Sequence, residues 1–151
     1  MTFEPDILVT NDDGSEIMLV AETKLHEKDV PNAENQLKAY MTAMGSPIGL
    51  LITPAFLRIY RDRYINPRDQ SIETVGRFDV SSLFASRLRE AGPNAAFIFE
   101  SYVQSWLELL VSKPLGNEFP TEFKRAAEAN ILPALSQGII RAGHPRSALS
   151  A

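Results

Sequence analysis

The chain has no cysteine. Disulfide scaffolds, thiolate metal sites and cysteine nucleophiles are thereby excluded, and any metal must bind oxygen or histidine. Histidine is scarce as well: His26 lies in a polar loop and His144 in the tail, so both are expected to be exposed and unpartnered, and they form no HxxxH pair. No run of about 18 apolar residues occurs and no apolar stretch follows a basic N-terminus, so neither a membrane span nor a signal peptide is visible. A cytoplasmic protein is expected. P-loop, GxGxxG and GxSxG motifs are missing too. So is an overall positive charge, since the net charge of −4 argues against nucleic-acid binding through bulk charge.

The distribution of charge says more than its sum. Met1 to Asn35 carries nine acidic residues against two lysines, whereas Arg58 to Arg89 carries seven arginines against Asp62, Asp69, Glu73 and Asp79. An acidic head and a basic middle suit a cation site beside a polyanion track. At 151 residues and 44% apolar composition, one hydrophobic core is the expectation.

Along the chain, PDILVT and IMLVAETK are β-rich runs separated by the turn cluster NDDGSE, a hairpin. Asn32 is a candidate cap for a helix whose apolar face is Ala33, Leu37, Tyr40, Met41 and Met44, closed by Gly45 ahead of Pro47. PIGLLIT reads as a strand covered on both faces, and FLRIYRDRY alternates in part like an edge strand. The order strand, strand, helix, strand, strand predicts an α/β fold over 1–65. Residues 66–142 read as a helical extension packed on that core. Its segments run from Asp79 to Arg89, from Asn94 to Val111, and from Thr121 to about Asn130, where Pro133 should break or kink the last. Residues 143–151 read as a disordered tail.

Chemistry concentrates in the first hairpin. Glu22 and Lys24 lie two apart at the charged end of an apolar strand and project from one face. Asp6 opens the neighbouring strand directly after Pro5, which cannot donate to a ladder and so suits a strand start. An E-x-K triplet alone is commonly a surface ion pair. Two converging carboxylates with no thiolate nearby instead make a hard, oxygen-rich site of the kind that takes Mg²⁺ or Mn²⁺. Facing residues share a side of the sheet, so a two-residue Asp13-Gly14 turn would set Asp6 opposite Ala21, on the wrong face. An odd-length loop, or a bulge, is required to set it with Glu22. Gln36 and Tyr40, four apart, share a helical face.

Pro5-Asp6, Glu22-Thr23-Lys24 and the Gln36-x-x-x-Tyr40 spacing resemble the PD-(D/E)XK nuclease superfamily, in the QxxxY branch of RecB-like exonucleases and type I restriction motor subunits. The resemblance covers roughly Phe3 to Arg63. It implies a restriction-endonuclease-like mixed sheet and Mg²⁺ or Mn²⁺ held by Asp6, Glu22 and the Thr23 carbonyl. It also implies that Lys24 positions the attacking water and that Gln36 and Tyr40 order the site. The implied reaction is hydrolysis of DNA phosphodiesters in restriction, defence or repair, with Arg58, Arg61 and Arg63 of the aromatic and basic strand meeting DNA. The alternative is an inactive scaffold of the same fold, or a fragment needing a partner subunit. The family core usually begins with a helix, often acidic, and a strand ahead of the proline-aspartate. Here only Met1 to Glu4 precede it, so that element is lost, replaced by a C-terminal helix or partner, or outside this piece.

The helix from Asn94 carries Phe97, Ile98, Phe99, Tyr102, Val103, Trp106, Leu107, Leu109 and Leu110, too many for one stripe. It is expected to be buried on two sides, the second against either the helix near Phe123 or a second copy of the chain in a homodimer through the C-terminal helices.

Overall fold

Short β-rich runs bounded by turn residues, and longer segments with helical periodicity, set the order of elements. The computed structural model of the chain describes residues 3–88, 92–113 and 115–144. Strands β1 (Ile7–Thr10) and β2 (Ile17–Thr23) form the hairpin, helix α1 (Val30–Met44) follows, and β3 (Ile48–Ile52) and β4 (Phe56–Asp62) complete the first half. The second half holds β5 (Ile72–Asp79), a short α2 (Ser81–Phe84), the long α3 (Ala95–Ser112), α4 (Thr121–Ala126), α5 (Leu132–Ser136) and β6 (Ile139–Ala142). All six strands lie in one sheet in the order β5-β4-β3-β2-β1-β6. The pair β2–β3 is parallel and the other pairs are antiparallel. The chain is a mixed α/β fold, as its strand and helix alternation predicts.

Helix α1 starts at Val30 with Pro31 in its first turn, where a missing N–H costs nothing, and not at an Asn32 cap. It ends where expected. Gly45 takes a left-handed conformation at φ 70° and donates its N–H to Met41 O. The side-chain period of two then sorts the sheet into two faces. Val20, Leu51 and Tyr60 meet Val30, Ala33, Leu37 and Met41 of α1 on one face. On the other, Ile7, Leu19, Ala21, Leu50, Ile52, Leu57 and Ile59 meet α3 through Phe99, Val103, Leu107 and Leu110, with Phe123, Ile131 and Leu135 behind.

Three sequence expectations change. The stretch 66–142 is not helical throughout, because β5 and β6 extend the sheet at both edges and β4 is therefore an inner strand. β5 contains Gly76, Glu73 and Arg77 and is only half-buried, so its composition resembles a loop. β6 is four residues long and mostly exposed, too short to carry a pattern. Pro133 does not break its helix either. The helical path continues from Thr121 to Ser136 by widening into a π turn over Ala127–Ile131 just ahead of it. The helix predicted from Asp79 is also shorter. It gives way to a 3₁₀ turn over Ala85–Leu88, and Arg89 lies outside the described residues.

Helix α3 buries one stripe, with Phe99, Val103, Leu107 and Leu110. Its second flank meets Phe84 and Phe123: Phe84 lies edge-on to Phe99 and Trp106, and Trp106 stacks on Phe123. Leu109 and Val111 stay exposed. Among the described residues no helix is long and apolar enough to cross a membrane.

Candidate functional site

The register of the first hairpin decides what the acidic residues can do together. Ile7 faces Ala21 and Leu8 faces Val20, which sets Asp6 beside Glu22 one step further out. The connection from Thr10 to Ile17 has six residues, an even number that alone would put Asp6 on the wrong face. A bulge repairs this, because the pairing shifts by one between Val9 and Thr10. The loop is tied by its own side chains, with Glu16 N–H donating to Asn11 Oδ1 and Ser15 N–H to Asp13 Oδ1.

At the strand ends the groups interlock. Glu22 Oε1 accepts from the Asp6 backbone N–H at 3.2 Å, and its Oε2 lies 3.6 Å from Lys24 Nζ. Asp6 Oδ2 accepts from both the N–H and the hydroxyl of Thr23, each at 2.8 Å. Thr23 thus meets Asp6 through its donors, whereas the resemblance implies a role for its carbonyl. Asp6, Glu22, Thr23 and Lys24 are brought together as a group.

Two further residues join them from the C-terminal half. Asp6 Oδ1 lies 3.0 Å from His144 Nε2, which is itself 3.5 Å from Glu100 Oε1. Asp6, Glu100 and His144 each offer one potential ligand atom, and those atoms all lie within 4.8 Å of one another. This corrects the expectation for His144, which is partly buried and partnered, not free in a tail. Residues 145–151 lie outside the described residues. The cause is strand β6, whose four residues pair with β1 from Ile7↔Ala142 to Thr10↔Ile139 and deliver the following residues to Asp6. Gly143 makes the turn-in, donating its N–H to Asp6 O at 2.8 Å. A side chain there would meet Pro5 O at 1.9 Å, so only glycine fits without moving backbone.

Glu100 has a legible signal in hindsight. It falls on the buried stripe of α3 with Val103, Leu107 and Leu110, a carboxylate where an apolar side chain is the rule. His144 has no local signal. Asp6, Glu100 and His144 line an open pocket of about 470 Å³ with Thr23, Lys24, His26 and Asp29.

The electrostatics follow from crowding. Burial, then the negative charge of Asp6 and a hydrogen bond with its carboxyl, push Glu22 well above the ordinary carboxylate range, and Lys24 opposes this only in part. Burial also acts to raise Asp6. Hydrogen bonds from Glu100, His144 and Thr23 outweigh it and hold Asp6 below its usual value. The pair thus keeps its charge on Asp6 and its proton on Glu22.

The remaining sequence candidates separate. Gln36 is exposed on α1, and Tyr40 packs edge-on against Phe3, with ring centroids 5.6 Å apart; neither lines the pocket. Arg61 pairs with Glu73 across β4 and β5. Arg63 donates to the carbonyls of Gln70 and Ser71. Arg58 alone of the three lies in the cross-strand row of Glu22, through Leu51.

Comparison of the chain with family models, with curated proteins and with solved structures returned no match.

Proposed function

We propose that this chain is a metal-dependent phosphodiesterase acting on DNA, with its centre at Asp6, Glu22, Glu100 and His144 and with Lys24 beside it. One observation carries the reading: the carboxyls of Asp6 and Glu100 and the His144 imidazole converge in a pocket that also holds Lys24, with Glu22 against Asp6 and Lys24. Carboxyls buried this close together are relieved by protons or by a cation. The donor set fits a divalent ion, with two oxygens and a nitrogen within 4.8 Å and open pocket volume for retained waters. Asp6, Glu100 and His144 would hold it, with Glu22 completing the charge. When bound, such an ion supplies charge neutralisation at a phosphoryl oxygen and an activated water.

The chain's own groups account for the rest. Lys24 Nζ, held on Glu22 and half open to the pocket, can orient a water and carry positive charge toward a phosphate. Thr23 fixes the Asp6 carboxylate through two hydrogen bonds, which leaves Oδ1 pointing toward His144. The motif resemblance to PD-(D/E)XK nucleases supports the same reading. The acidic helix of that pattern would correspond to α3, which brings Glu100 to Asp6 from the C-terminal half.

The test is cleavage of single- and double-stranded DNA with Mg²⁺ or Mn²⁺ and with EDTA. Lys24→Ala should abolish cleavage while the protein stays folded, since Lys24 sits at a strand end and not in the core. Asp6→Asn should also lose divalent-ion binding by calorimetry. A wild-type protein that binds neither ion and cuts neither substrate would refute the proposal.

A further inference from the structure

The sheet face that carries Glu22 continues as a row across four strands. Glu22 pairs with Leu51, Leu51 with Arg58, and Arg58 with Arg77. At about 4.8 Å per strand, the two arginines stand roughly 10 and 14 Å from Glu22 along the row. Directly opposed like charges weaken an antiparallel pair, so Arg58 against Arg77 needs an explanation.

Part of it is Glu27, on the 3₁₀ turn Glu27–Asp29 between β2 and α1. Its Oε2 lies 3.7 Å from the Arg58 guanidinium and its Oε1 lies 4.0 Å from that of Arg77. Both separations are at the outer limit of an ion pair, and the Glu27 side chain is half exposed. One carboxylate is stretched between two guanidiniums. Arg77 is held in place independently, its guanidinium stacked 3.6 Å over the Phe56 ring. A phosphate, with more acceptor oxygens and tetrahedral spread, would satisfy both forks better than this carboxylate does.

We infer that Arg58 and Arg77 form a backbone-phosphate subsite for the DNA strand, and that Glu27 is a displaceable stopper occupying it in the free protein. The inference rests on the nuclease reading for its ligand and goes beyond it in naming Arg77 and Glu27. A phosphate there would lie roughly 10–14 Å from Glu22 along the row, within reach of the same DNA strand. Release of Glu27 also bears on the centre itself, because the same loop carries Lys24, His26 and Asp29 of the pocket wall.

The experiment is binding of a fluorescein-labelled DNA 12-mer in EDTA, so that it is read independently of metal and cleavage. Glu27→Gln should tighten binding several-fold. Arg77→Ala should weaken it about five- to tenfold and lower the salt slope by about one. Arg77 is half exposed, so its loss should leave the fold intact, and Arg58→Lys serves as the milder change at the more enclosed position. Unchanged binding in Glu27→Gln and Arg77→Ala, or no binding by wild type and Glu27→Gln alike, overturns the inference. The two readings fail separately: cleavage with insensitive arginine variants removes the subsite alone, and stopper-controlled binding without cleavage removes the nuclease alone.

Discussion

Replacing Glu22 by glutamine should remove the loss of stability that metal-free protein suffers as pH rises. Glu22 is 5% exposed and lies against the charged Asp6, and its carboxyl is pushed from an ordinary 4.5 up to about 8. The native state therefore holds a proton that the unfolded chain has lost, and each pH unit in that window removes up to about 1.4 kcal/mol. The sign is that of a raised acid: the contribution is complete below pH 4.5, declines as pH rises, and is gone above pH 8. Summed over the window, the loss is on the order of 3–5 kcal/mol, a large part of a small domain's stability. Glutamine mimics the protonated acid and does not titrate. Urea unfolding in EDTA at pH 5, 7 and 8.5 should show wild type weakening steadily, with Glu22→Gln matching it at pH 5 and exceeding it at pH 8.5. Asp6, held below 3.8, acts in the opposite direction and in a different window, losing its contribution only as pH falls through the acid range. A divalent ion should restore wild-type stability at high pH, since binding favours the deprotonated centre. Parallel pH curves for wild type and Glu22→Gln would refute the picture of a proton stored on Glu22.

Two further outcomes follow from the packing. Phe123 is fully buried among Phe78, Trp106 and Phe119, so Phe123→Ala should cost about 3–5 kcal/mol in denaturant unfolding, and a loss below about 1 kcal/mol would mean that the aromatic cluster is not core. Gly143→Ala must displace the turn from the Pro5 carbonyl, so it should weaken divalent-ion affinity by about tenfold through His144, the order seen when ligand positioning is lost; calorimetry that returns wild-type affinity would separate His144 from the centre.

The first half of the fold is legible because its punctuation is local. Pro5, the Asn11 to Glu16 turn, Gly45 and Pro47 bound elements whose apolar periods are unambiguous, and the pairing of Asp6 with Glu22 follows from counting residues once a bulge is allowed. What fails is long-range. β5 is broken up by Glu73, Gly76 and Arg77, residues with little intrinsic strand preference. β6 owes its existence to β1, more than 120 residues away, and its four residues could not announce that pairing. Pro133 misleads because a π turn ahead of it absorbs the lost donor. The site divides along the same line. Asp6, Glu22 and Lys24 share one hairpin, Glu100 shows only as a charge on a core stripe, and His144 depends on a strand that sequence does not reveal.

That division has a thermodynamic consequence. Asp6 and His144 lie 138 positions apart and meet only when β6 has closed on β1 and α3 has covered the opposite face of β2. The centre sits on the rim where the parallel strands β2 and β3 end, the place at which open α/β sheets gather their ligands. Lys24 follows β2 on that rim, Asp6 precedes β1, and the Arg58–Arg77 pair lies near the same ends of β4 and β5. Each of those residues comes from a different strand, so the rim exists only in the assembled sheet. An ion held between Asp6, Glu100 and His144 would therefore bind the native state and not the open hairpin. Its affinity would appear in full as global stability, growing as RT ln(1 + [L]/Kd). A centre confined to the hairpin would instead bind with the helical half unfolded and leave the unfolding midpoint nearly unmoved. The ion-dependence of the midpoint thus distinguishes a site closed by both ends of the chain from one carried by the hairpin motif alone.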